Sequence, residues 1–160
     1  YSDKEELKRA KKEQLKGTLE ALPWIATIDK FQHWVYEKPN HTLEERTDNW
    51  LKIQGSLSNN KVNWTGYEAA KEVMWQRQLH LFEVPFYYIE YGFAQLGAIA
   101  LWKNFKEDKQ KGIEQYKAAL SLGYTKSIPE IYKTAGIEFN FFKAYVKELA
   151  DFVKEELGKI

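Results

Sequence analysis

Between Phe142 and Val153 the large apolar residues are Phe142, Tyr145, Val146, Leu149, Phe152 and Val153. Steps of three and four set them on one face of a helix. No stretch of the chain alternates apolar and polar residues long enough to argue for a strand, so the period constrains the whole molecule. The chain reads as all-α, a multi-helix bundle of about eight helices within one helical domain over 1–160.

The helices are expected at 3–22, 23–37, 43–58, 66–79, 85–106, 108–122, 128–135 and 140–157. Pro23, Pro39, Pro85 and Pro129 divide them, because proline lacks an amide hydrogen and is tolerated in a helix's first turn or in a loop. Four Ser/Thr-x-x-Glu sequences supply start signals: Ser2/Glu5, Thr42/Glu45, Thr65/Glu68 and Ser127/Glu130. Gly123 and Gly136 read as helix ends, where a left-handed residue closes the last turn. The segment 59–66, NNKVNWTG, reads as a loop. The Lys/Glu-rich first helix, with only Leu7, Leu15, Leu19 and Leu22 as an apolar stripe, reads as a solvated outer helix or an electrostatic docking surface.

Charge removes several function classes. Lys and Arg number 24 against 23 Asp and Glu, so no basic field exists to gather phosphates or anionic lipid. Neither nucleic acid nor a membrane is expected as a partner. With no cysteine, disulfides and thiolate chemistry are absent, and a cytoplasmic setting fits. The first residues carry no signal-peptide pattern. Met74 is the only methionine, so the chain is expected to be a fragment of something longer.

The inventory for metal and phosphate sites is small. The histidines are His33, His41 and His80; no two are four residues apart, so an HExxH zinc helix cannot be built from this chain. His80 and Glu83 form only an H-x-x-E pair next to Pro85, and no metal ligand is assigned. His33 and His41 read as interhelical or loop histidines. Glycines never form a phosphate-cradling loop.

The densest chemistry lies in HLFEVPFYYIEYGFAQLGAIALW, residues 80–102. On a helix, Tyr88, Tyr91 and Gln95 share a polar-tipped stripe, while Phe86, Ile89, Phe93, Leu96, Ile99 and Leu101 cover most of the rest. Gly92, Ala94, Gly97, Ala98 and Ala100 keep the helix thin enough for close neighbours. Two readings stand: a central packing helix whose phenols bond to nearby backbone, or a wall of donors. In the second, His80 sits at the C-terminus of the 66–79 helix, where the dipole favours imidazolium, and stabilises a developing oxyanion.

The same segment closely resembles the C-terminal region of oligoendopeptidase F and its thimet-oligopeptidase-like relatives, a family of zinc peptidases. PWIATIDKFQHWVYEKPNHTLEER at 23–46, GYTKSIPEIYKTAGIEF at 123–139 and the Lys/Glu-rich opening match in the same order. The resemblance implies the C-terminal helical lobe of a zincin-like oligopeptidase that hydrolyses short peptides. It also implies that zinc is held by HExxH and a further glutamate in an N-terminal part missing here, so that this chain alone binds no metal and is inactive.

By motif His80 matches the family's histidine. At the offsets where thimet-type sequences place two tyrosines, this chain has Pro85 and Gly92; the oligoendopeptidase-type run FYYIEY is kept at 86–91. His80, Tyr88 and Tyr91 are accordingly the expected catalytic groups, and Tyr87 and Gln95 the expected substrate contacts. The competing reading is a non-catalytic, tetratricopeptide-repeat-like interaction module, suggested by GIEQYKAALSLG at 112–123, which has no second copy at the repeat distance of about 34 residues.

Overall fold

The computed structural model describes residues 3–59 and 61–160, and among them every regular element is helical. The α-helices are α1 (Lys4–Glu37), α2 (Leu43–Leu57), α3 (Glu68–Glu72), α4 (His80–Glu83), α5 (Ile89–Glu107), α6 (Lys109–Ser121), α7 (Ile128–Thr134) and α8 (Lys143–Gly158), with a 3-10 turn at Met74–Arg77. The chain divides into two compact units: Glu20–Gly92, and the chain up to Leu19 together with Phe93–Ile160. Both α1 and α5 therefore contribute to each.

Pro23 does not separate two helices; it lies inside α1. Proline there removes one backbone bond and costs about 3 kcal/mol. The cost is outweighed because the buried stripe continues in phase through it: Leu15 and Thr18 on one side, Ile25, Ile28 and Gln32 on the other. Thr27 Oγ1 returns a hydrogen bond to the Pro23 carbonyl at 2.7 Å. Over its first turns, up to Gln14, α1 is largely exposed, as a solvated Lys/Glu helix should be.

The start signals are realised unevenly. Thr42 and Glu45 form a reciprocal capping box, with Glu45 N to Thr42 Oγ1 at 3.1 Å and Thr42 N to Glu45 Oε2 at 2.7 Å. Glu130 accepts both Ser127 N and Ser127 Oγ, at 3.0 and 2.7 Å. Thr65 caps nothing: its hydroxyl bonds Asn63, Glu68 turns to the Gly66 amide, and the helix starts at Glu68. Ser2 lies outside the described residues, as does Asn60 of the 59–66 loop. Gly123 and Gly136 take φ of +52° and +71°, so both close their helices as expected.

Unit Glu20–Gly92 is organised around Trp50, which is fully buried with Ile28, Phe31 and Ile53. Phe31 packs edge-on to the Trp50 indole at 5.2 Å, and Trp50 Nε1 donates to the Lys71 carbonyl at 2.8 Å. Burying each such large side chain contributes about 1.5–3 kcal/mol. This packing also overrides the helix expected at 66–79. After one turn of α3 the chain tightens at Met74–Arg77, bringing Trp75 to Phe31 at 5.4 Å and stacking it on Phe82 at 5.8 Å.

In the second unit the buried apolar side chains include Leu96 and Ile99 of α5, Ala119 of α6, Ala135 just after α7, and Leu149 and Val153 of α8. Two glycines permit close approach. A Cβ on Gly97 would meet Tyr132 Oη at 2.7 Å, and one on Gly112 would meet the Phe105 Cα at 2.9 Å. Tyr132 in turn donates to the Phe93 carbonyl at 3.0 Å. Glu156, nearly buried, is held by Lys106 at 2.8 Å and Lys159 at 2.7 Å.

Candidate functional site

Helix α5 begins at Ile89, not at 85, and His80 opens the single turn of α4 instead of ending a long helix. The helix-dipole argument for an imidazolium at His80 therefore fails. Between the two helices a tight turn runs through Pro85 and Phe86. Phe86 adopts φ of +60°, a left-handed conformation that costs a non-glycine residue roughly 1–2 kcal/mol. Its amide donates to Gln32 Oε1 at 2.9 Å, and its ring packs on His33 and Tyr36, each at 4.9 Å. Gln32 is itself buried in α1, so the turn is tied to the core.

This turn reverses the chain and folds the tyrosines over the imidazole. The His80 ring lies parallel to Tyr87 at 6.3 Å and packs against Tyr88 at 5.0 Å and edge-on to Tyr91 at 5.4 Å. His80 Nε2 is 3.1 Å from Tyr91 Oη. On the other side, Gln78 Nε2 is 2.8 Å from His80 Nδ1, and Gln78 Oε1 accepts from Trp24 Nε1 at 3.1 Å. Tyr87 and Tyr91 are a little under half exposed, at 45% and 44%, while His80 and Tyr88 are partly buried. Burial raises the Tyr88 phenol above its ordinary pKa, with the Trp24 indole opposing the shift.

Four of the expected residues, His80, Tyr87, Tyr88 and Tyr91, thus form one cluster within Glu20–Gly92. Gln95 is not part of that unit. It falls in the other unit, lining a cavity of about 790 Å³ with Leu15, Thr18, Trp102, Lys106 and Glu156. The late start of α5 takes Tyr88 out of the expected stripe, whereas Tyr91 and Gln95 remain one turn apart on that helix. Gln78 and Trp24 carry no motif; Gln78 lies two residues before His80, and Trp24 is 54 residues from Gln78.

The other histidines are engaged elsewhere. His41 bonds the Lys38 carbonyl through Nδ1 and accepts from Arg46 Nε at 2.7 Å through Nε2. His33 lies 3.6 Å from Asp29, one turn back on α1. Among the described residues no group of three or more His, Asp or Glu side chains could hold a metal ion. The zinc that the family resemblance implies has no fitting ligand set here. No described helix is long and apolar enough to cross a membrane.

A model of peptidase family M3 matches residues 1–151, and the chain belongs to that family. Two solved structures resemble it closely. A candidate oligoendopeptidase F, determined by X-ray crystallography at 3.1 Å, superposes with a TM-score of 0.81 at 29% identity over 95% of this chain and 27% of its own. PZ peptidase A with an inhibitor superposes with a TM-score of 0.84 at 29% identity over 93% of this chain and 26% of its own. The chain thus spans about a quarter of the length of each structure. No curated protein sequence matches it significantly.

Proposed function

We propose that this chain is the C-terminal lobe of a zinc-dependent oligoendopeptidase acting on short peptides, and that it supplies the wall that binds substrate and stabilises the oxyanion. The observation that carries this reading is the cluster of His80 with Tyr91, Tyr88 and Tyr87, partly open to solvent at the turn before α5. Tyr91, backed by His80 through their hydrogen bond, is the donor proposed for the tetrahedral oxygen, with Tyr88 a supporting phenol and Tyr87 a flat surface for substrate. Donors already in place before charge develops are worth about 3–4 kcal/mol each at such a centre. Gln95, one turn after Tyr91 on α5, is kept in this proposal as a second substrate contact.

Zinc is proposed for the whole protein, held by polypeptide beyond these residues in the missing N-terminal part. The 160 residues alone are proposed to be inactive, and a cytoplasmic setting is kept as part of the same reading. The test is twofold. The coding sequence upstream of Tyr1 should contain an in-frame HExxH, and the whole protein should cleave short peptides. A full-length protein with no such motif that binds peptides without cleaving them would point instead to the helical interaction module.

A further inference from the structure

The hydrogen bonds around His80 fix where its proton lies. An indole Nε1–H can only donate, so the Gln78 atom facing Trp24 at 3.1 Å must be the amide oxygen. The Gln78 NH₂ group then faces His80 Nδ1 at 2.8 Å, and an NH₂ group can only donate. Nδ1 must therefore be the bare nitrogen, and the ring hydrogen sits on Nε2, 3.1 Å from Tyr91 Oη. Tyr91 accepts there, which leaves its own O–H free to donate outward from a half-exposed position. Every donor points the same way, from the indole through the amide and imidazole to the phenol, and each bond polarises the next.

From this geometry we infer that Trp24 and Gln78 are positioning residues that hold His80 in its Nε2–H tautomer and aim a chain of donors at whatever Tyr91 Oη meets. An imidazolium would set two N–H groups against each other at Nδ1. Turning the amide to relieve that contact would set an NH₂ group against the Trp24 indole. His41 supplies an internal contrast. Arg46 Nε can only donate to its Nε2, so His41 carries its hydrogen on Nδ1 toward the Lys38 carbonyl. The importance of the relay for hydrolysis rests on the function proposed above, but the tautomer does not.

The experiment is ¹⁵N NMR of the ¹⁵N-histidine-labelled 160-residue chain, whose three histidines are assigned by the signals lost in His80→Ala and in His41→Ala. His80 should show a pyridine-type resonance at Nδ1 and a pyrrole-type resonance at Nε2, and His41 the reverse. Gln78→Glu keeps the shape but presents only acceptors; it should transfer the hydrogen to Nδ1. Trp24→Phe, which frees the amide to turn, should give a mixture. A neutral wild-type His80 ring with its hydrogen on Nδ1 overturns the inference without recourse to any variant. So does Gln78→Glu in a folded protein with an unchanged pattern. In the whole protein Gln78→Glu should lower kcat on the order of tenfold to a hundredfold with little change in KM. A moved tautomer with unaltered turnover would leave the relay standing and remove the proposed function.

Discussion

At the residue scale, the Phe86 turn shows how strain and chemistry are joined. Its left-handed backbone is held by one hydrogen bond to a side chain buried in α1. Gln32→Leu should release it, and hydrogen exchange at the Phe86 amide should accelerate while amides around Trp50 keep their protection; equal loss of protection everywhere would mean the turn has no separate anchor. Of the cluster, His80 and its tyrosines were legible because an aromatic run beside a lone histidine is visible in one dimension and the family resemblance gave it a role. Trp24, Gln32 and Gln78 were not. An indole or an amide becomes informative only through the partner it finds, and two of those bonds, Trp24 to Gln78 and Gln32 to Phe86, each span 54 residues.

At the element scale, helix type was easier to read than helix ends. The capping box of α2 and the period of α8 from Tyr145 to Val153 were local signals and the structure keeps them, but α8 starts only at Lys143 and leaves Phe142 before it and exposed. Pro23 misled because proline is a local signal too, whereas the phase of the stripe from Leu15 to Gln32, which continues across it, depends on what the helix packs against. Pro23→Ala should restore the missing backbone bond. It is expected to stabilise the fold by up to about 3 kcal/mol, read as a raised denaturant midpoint; a lowered midpoint would mean that the proline is needed where it stands. The 66–79 helix failed for a similar reason, since Trp75 reaches Phe31 only if the chain tightens after Val73.

In the same way α5 begins late because Tyr88 is among the side chains packed against the Trp50 core. Of the small residues expected to thin α5, Gly92, Gly97 and Ala100 are buried, whereas Ala94 and Ala98 are exposed. Gly97→Leu should drive Tyr132 off its bond to the Phe93 carbonyl and destabilise the protein by about 1–3 kcal/mol through overpacking. Chemical denaturation measures this, and an unchanged midpoint would mean Tyr132 can move aside freely.

At the scale of the whole molecule, acid stability should be governed partly by Glu156. Hydrogen bonds from Lys106 and then Lys159 hold its carboxyl below the ordinary glutamate pKa. A depressed folded-state pKa means that its stabilisation is present above the unfolded value and is lost as pH falls through the folded one. Glu156→Gln should therefore flatten the fall in Tm below about pH 4.5, the region where an ordinary glutamate titrates. A parallel fall in both proteins would show that the two lysines add nothing. The proposed function stands on the cluster at His80. It is tested most directly by the turnover of the whole protein on a short peptide in wild type, His80→Ala and Tyr91→Phe, with bound zinc measured in each. The expected result is a loss of kcat on the order of a hundredfold or more in each variant at unchanged zinc content. Turnover close to wild type in both would contradict it.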